Sequence, residues 1–237
     1  MQTLLETLQS VGVFLVFLLG RFLLLLLVLA LLTVVFLAGL TLVRAIDGLR
    51  RKALGFARVN GLVWRRGFAY VPGHAWLDRR VAGTVRIGLD DLAQHLLARA
   101  TAIKLPRPGE ALRRGEPAVD ILCGKRRISI PSPLTGTVVA ANDRMMRDPS
   151  LLNRDPYVRG WLFAVNDPEM PPTGLVHGEA ARSWFARETH RLTRFFEHEL
   201  GVAAADGGEF VAPGPTLLSE EQWHAVTEAF LKPPQQE

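Results

Sequence analysis

The chain has 237 residues, 49% of them hydrophobic, which is enough for one or two packed domains, and it carries a formal net charge of +5 with a sequence pI near 10.0. Its one cysteine, Cys123, excludes an internal disulfide framework and leaves a structural zinc site without thiolate ligands. The positive charge does not point to nucleic acid, because a conspicuous share of it is gathered just behind an apolar stretch and not on a reading element.

Residues 1–43 hold two ionisable side chains, Glu6 and Arg21. Residues 22–43 are uncharged and dominated by Leu, Val, Phe and Ala. As an α-helix they span about 33 Å, against a hydrocarbon core of roughly 30 Å, so a transmembrane anchor is expected. An earlier apolar piece, residues 11–20, precedes Arg21, and together the two exceed one upright span; the helix must tilt or begin at the interface, with Arg21 snorkelling to the headgroups. A cleaved signal peptide has a shorter apolar core of about 7–15 residues and a small-residue cleavage site, so that alternative is set aside. From Arg44 to Arg66 seven cations (Arg44, Arg50, Arg51, Lys52, Arg58, Arg65, Arg66) stand against one acid, Asp47. That excess is expected to keep the following domain cytoplasmic, making this a single-pass protein of the inner (plasma) membrane. Residues 44–67 are read as a basic juxtamembrane linker whose first half can continue the helix.

From residue 68 short β-type runs alternate with turn signals: residues 84–88, 101–105, 119–122, 128–130 and 137–140, punctuated by Pro106, Pro108-Gly109, Gly115, Gly124, Pro131, Pro133 and Gly136. Such intervals cannot hold crossover helices, so a parallel α/β sheet is excluded and a mainly β sandwich or barrel is expected. One short internal helix is expected over residues 90–99, with Leu92, Ala93, Leu96 and Leu97 on its apolar face. A Pro- and Gly-rich loop after Asn166 marks a boundary, giving a β domain at 68–168 and a helical C-terminal extension at 169–237. In the extension, residues 179–200 place Ala181, Trp184-Phe185, Leu192, Phe195-Phe196 and Leu200 near helical spacing, stopped by Gly201. A second amphipathic helix should begin at Ser219 with a capping box to Gln222 and a stripe of Trp223, Val226 and Phe230.

Several constellations are weighed and set aside. Gly124-Lys125 is no phosphate loop, since Val119 stands where Gly is required and Arg126 where Ser or Thr would hold magnesium. His190, Arg194 and His198 share a helix face without metal-pair spacing, so a solvated face is expected. Cys123 lies near cations that would favour a thiolate, but an inward-packed strand residue is the better expectation. The aromatics of the extension are read as core before docking surface.

Separated blocks of residues 68–167 nevertheless carry a specific pattern. Tyr70 and His74-Ala75-Trp76 come first, then Val85-Arg86-Ile87-Gly88-Leu89 with Leu92-Ala93. Leu105-Pro106-Arg107-Pro108-Gly109-Glu110 and Arg114-Gly115-Glu116 follow, then Ser132-Pro133-Leu134-Thr135-Gly136-Thr137-Val138-Val139 with Asn142. Leu152-Asn153-Arg154-Asp155-Pro156-Tyr157 and Gly160-Trp161-Leu162 close the series. In this order and spacing the region resembles the glycine-cleavage H protein, a lipoyl carrier with a flattened β-sandwich (barrel-sandwich hybrid) fold. The membrane segment and the last 70 residues lie outside the resemblance.

The resemblance implies covalent lipoate on Lys125, eight residues before Pro133, at the tip of a hairpin formed by Cys123, Gly124, Arg126 and Arg127 with their flanking strands. Gly124 tolerates the positive φ that such a turn demands. The family generally has an acidic residue three positions before the lysine, where this chain has Leu122. Arg126 and Arg127 make the tip basic, which suits either an acidic partner or plain solvation. The chain is therefore read as a non-catalytic carrier. The resemblance implies aminomethyl-lipoyllysine as intermediate, with a lipoylating enzyme, the decarboxylase, the aminomethyltransferase and dihydrolipoyl dehydrogenase as partners. Two alternatives stand beside this reading: a lipoate-binding carrier serving a redox or sulfur complex at the membrane, and an unlipoylated membrane scaffold. No nucleic-acid partner is expected.

Overall fold

The computed structural model describes the chain except residues 1, 98, 171–173, 202–204, 207–208, 211–216 and 233–237. It divides into two units, Met1–Leu54 and Gly55–Glu237.

The first unit is helix α1 (Gln2–Ala53). Its stretch Phe14–Leu49 includes an 18-residue window of mean hydropathy 3.1 and is long and apolar enough to cross a membrane, and no side chain along it is buried. The apolar residues surround the helix on all sides.

The second unit opens with β1 (Phe56–Val59) and β2 (Leu62–Arg65), an antiparallel hairpin closed by Asn60-Gly61, both at positive φ (47° and 81°). This corrects the linker reading of residues 44–67. The first part continues α1 to Ala53, and the second belongs to the folded domain, with Leu62 and Trp64 each 1% exposed. Tyr157 fixes the hairpin in place: its hydroxyl donates to Val63 O at 2.7 Å and accepts from Asp91 N, while Asp91 Oδ2 accepts from Val63 N at 2.7 Å.

Next come β3 (Ala69–Val71), β4 (Ala75–Arg79), β5 (Val85–Leu89) and α2 (Asp91–Leu96). Asp90 caps α2, its carboxylate accepting from Ala93 N at 3.0 Å. The helix is shorter than the expected 90–99, because Leu97 turns to an extended conformation that leads into β6 (Ala102–Lys104). Then follow β7 (Ala111–Leu112), β8 (Pro117–Cys123), β9 (Arg126–Pro131) and β10 (Thr135–Ala141). Two short helices, α3 (Asp143–Arg147) and α4 (Leu151–Arg154), lead to β11 (Trp161–Glu169) and β12 (Val176–His177).

Among the described residues all strand pairs are antiparallel, as the short intervals require. A seven-stranded sheet in the order β12-β3-β4-β5-β11-β10-β7 and a three-stranded sheet β6-β8-β9 make the sandwich. Its core holds Trp76, Ile87, Ile121, Val138, Leu152 and Val165. Gly160 permits a close approach: a Cβ there would meet Asp155 O and Pro156 Cα at 2.7 Å. Asn142 fastens β10 to the start of β11, donating to Arg159 O and Trp161 O at 2.7 Å each.

Helix α5 (Gly178–Arg194) continues through a π-turn at Phe195–Glu199, and α6 (Glu220–Leu231) starts at Ser219 with the expected capping box. Gly201, at φ +64°, ends the former as its position predicts. The boundary expected at 168/169 is not observed. β11 runs through Pro168, β12 adds a strand to the main sheet beside β3, and Phe185, Phe196, Trp223, Val226 and Phe230 belong to the common core. Phe185 lies 4.9 Å from Tyr70 and 6.5 Å from Trp64, ring centre to ring centre. The helices are thus part of the folded domain; of the aromatics expected as core, Phe185 and Phe196 are buried, while Trp184 and Phe195 pack against the core half-buried.

Candidate functional site

Strands β8 and β9 build the site. Val119, Ile121 and Cys123 on one strand, with Ile128 and Ile130 on the other, face the core, so the alternation fixes the register. Cys123 pairs with Arg126, and Gly124-Lys125 close the hairpin as a two-residue turn. Gly124 has φ +64° and Lys125 lies outside the left-handed region, the pattern of a II′ turn with glycine at its first central position. A side chain at Gly124 would meet nothing within 4 Å, and Lys125 is exposed. Lys125 therefore stands at an uncrowded turn with its side chain open to solvent.

The two following arginines behave differently, for a geometric reason: residues opposite one another in a ladder share a face. Arg126 lies opposite Cys123 and turns to the covered side, where its side chain is only 17% exposed. There it donates to Leu218 O at 2.5 Å and to Glu220 Oε2 at 3.3 Å, with its guanidinium carbon 5.5 Å from the centre of the Trp223 ring. Arg127 lies opposite Leu122 on the outer face and pairs with Asp120 at 3.8 Å; its side chain is 69% exposed. Asp120 also accepts from Ser129 Oγ. The basic tip expected from the sequence is thus partly neutralised, and Arg126 faces inward. Leu122 is 37% exposed on the outer face beside Arg127. Cys123 packs inward, and burial pushes its thiol up to about 11 despite the nearby Arg126, so it stays protonated at neutral pH. Among the described residues no group of three or more His, Cys, Asp or Glu side chains could hold a metal, and His190, Arg194 and His198 are exposed.

The profile of the family described as "Glycine cleavage H-protein" matches residues 68–186. The H protein of Micrococcus luteus is 36% identical over 119 residues, 49% of this chain and 93% of that one. That of Mycobacterium avium is 36% identical over 118 residues, 48% and 89% of the two chains. The chain belongs to the glycine cleavage H-protein family. A probable H protein 2 of Sulfurisphaera tokodaii is 32% identical over 110 residues, 46% of this chain and 74% of that one. The crystal structure of an H protein from Mycobacterium marinum is similar over 54% of this chain and 99% of that one, with 26% identity and a TM-score of 0.48. Members of the family are non-catalytic lipoyl carriers of the glycine cleavage system, and the carrier reading of this chain agrees with them.

Sequence reasoning missed two features of the domain. One is the mooring of Arg126 on α6, formed by residues more than 90 positions apart. The other is a buried ionic cluster beneath α5. His74, 1% exposed, bonds Asp90 Oδ2 through Nδ1 at 2.9 Å and meets Glu188 Oε2 through Nε2 at 3.5 Å. Burial would lower its pKa, but the charges and hydrogen bonds of Asp90 and Glu188 outweigh that and hold it up to about 9. Glu188 answers in kind: burial opposes its ionisation, yet His74 and Arg191 hold its carboxyl below the usual range. Only the pairing of His74 with residues 16 and 114 positions away creates the cluster, and no local motif announces it.

Proposed function

We propose that this chain is a membrane-anchored lipoyl carrier in which Lys125 bears the lipoyl group and helix α1 holds the carrier domain at the cytoplasmic face of the inner membrane. The observation that carries the reading is the exposed Lys125 at the tip of a two-residue hairpin, eight residues before Pro133 of the buried Ser132-Pro133 turn. Ser132 fixes that turn by donating its hydroxyl to Leu134 O at 2.6 Å, so the register between lysine and turn is anchored in the core.

When bound, lipoate supplies a reducible disulfide at the end of a long arm. The chain's own part is to present and tether it. Gly124 makes the tight turn, β8 and β9 give it a rigid base, and the Lys125 amine forms the amide, losing a proton as the activated carboxyl's leaving group departs with its electron pair. The uncovered apolar surface of α1 and the cations from Arg44 onward support the anchor and its orientation. The carrier then shuttles an intermediate among glycine-cleavage-type enzymes that can reach the membrane surface.

Intact mass of the full chain extracted from its native membrane tests the proposal. The wild type should carry the added mass of one lipoyl group, and Lys125→Arg, which keeps a cation but offers no acylable amine, should carry none. A wild type without added mass would leave the scaffold alternative standing, and a modified Lys125→Arg would place the group elsewhere.

A further inference from the structure

Past Leu122 the carrier hairpin loses its third strand. β6 pairs with β8 up to Leu122, whose carbonyl accepts from Thr101 N and Oγ1, and beyond that pair the hairpin continues as the Cys123–Arg126 pair, with Cys123 packed inward, and its two-residue turn. A two-stranded tip on its own is marginally ordered. Arg126 supplies an anchor from outside the sheet, and that anchor is fixed. Trp223 is fully buried and donates its indole N–H to Leu96 O at 3.2 Å, while Ser219 and Gln222 cap α6 just beside Leu218. Glu220 is largely exposed and contributes little, so of these three contacts the Leu218 carbonyl and the Trp223 ring face matter more.

We propose that Arg126 is a positioning residue for the modification of Lys125: it moors the carrier hairpin to the start of α6. A segment beyond the family match, which ends at residue 186, thereby sets the pose in which the lysine is offered. The inference rests on Lys125 being the acceptor. In the step concerned, Nζ attacks the acyl carbon of an acyl adenylate made from lipoate and ATP. The amide C–N bond forms, the bond to the phosphate oxygen breaks, AMP leaves with the electron pair and Nζ releases a proton. Arg126 touches none of the reacting atoms. Its loss spreads the tip over several poses, which lowers the fraction competent to bind the enzyme and leaves the turnover of bound carrier unchanged.

The test uses the full chain in lipid nanodiscs, a lipoate–protein ligase, lipoate and ATP, with initial rates measured against carrier concentration. Arg126→Gln should raise KM by about 5- to 10-fold with kcat within about twofold, and Arg126→Lys, which keeps the charge without the planar fork, should recover part of the loss. Arg191→Gln is the control. It removes the cation that lies 4.1 Å over Phe230, toward the other end of α6, and should leave KM unchanged. An unchanged KM in Arg126→Gln, or an equal rise in Arg191→Gln, overturns the proposal. Hydrogen exchange keeps this outcome distinct from a failure of the Lys125 reading. If the wild type accepts no lipoyl group, faster exchange confined to residues 123–126 in Arg126→Gln still supports the mooring, and unaltered exchange there refutes it.

Discussion

The helices at the two ends of the chain use their apolar residues in opposite ways. Helix α1 is apolar on every side, and nothing from Phe14 to Leu49 is buried. Helices α5 and α6 carry one apolar stripe each, and Phe185, Trp223, Val226 and Phe230 on those stripes are at most 1% exposed. Content and distribution both separate the two cases: α1 is predominantly apolar with no polar face, whereas α5 is predominantly polar and gathers its few large apolar residues on one side. A stripe can be satisfied by a sheet, whereas an all-round apolar surface needs a solvent that is itself apolar.

The comparison breaks most visibly if those stripes are removed. Trp223→Ala or Phe185→Ala should cost about 3–5 kcal/mol of domain stability, the range for deleting a buried aromatic, whereas Leu29→Ala in α1 should leave the domain's denaturant midpoint unchanged. Chemical denaturation of the full chain in detergent measures both. A loss below about 1 kcal/mol for either aromatic would mean that the extension is appended to the domain and is not part of its core.

A somewhat smaller effect follows from the ionic cluster that joins α5 to the sandwich. The folded pKa of His74, about 9, is raised above its ordinary 6.5, so the stabilisation is complete below 6.5 and is lost as the pH climbs through 9. For a fully buried group a rise of that size corresponds to about 3 kcal/mol. Melting temperatures of the wild type should fall between pH 6.5 and 9.5. Glu188→Gln, which removes one of the two carboxylates, should flatten that fall; an equally steep decline in the variant would show that Glu188 does not contribute to holding the imidazolium.

The smallest effect sharpens the comparison at a single helix end. Ser219→Ala removes a cap whose hydroxyl accepts from Gln222 N at 3.1 Å, and should cost about 1 kcal/mol. A double-mutant cycle with Arg126→Gln should be non-additive, because both residues order the start of α6. Strict additivity would mean that the cap and the hairpin mooring act separately.

Much of this was legible in local chemistry. The capping box at Ser219, the stop at Gly201 and the alternation of Val119, Ile121, Ile128 and Ile130 are decided by neighbouring residues, and each appears where its pattern places it. The β1–β2 hairpin was hidden by charge. Arg58, Arg65 and Arg66 interleave with Phe56, Leu62 and Trp64 and obscure the Asn60-Gly61 turn, which is the strongest short-range sign of a hairpin. Arg65 is no linker cation: its guanidinium lies 4.5 Å over the Phe68 ring and donates to Tyr157 O. The sequence also marks Lys125 by its register, but the inward turn of Arg126 depends on α6, which no pattern near the hairpin reveals.

The membrane helix and the loaded carrier lysine can be tested together. Membranes from the native host are washed with alkaline carbonate to strip peripheral proteins, and the peptide containing Lys125 is then fragmented in a mass spectrometer. A lipoyl group on Lys125 in the carbonate-resistant fraction is the expected result. Unmodified Lys125 in that fraction, or the modified peptide only in the wash, would contradict it.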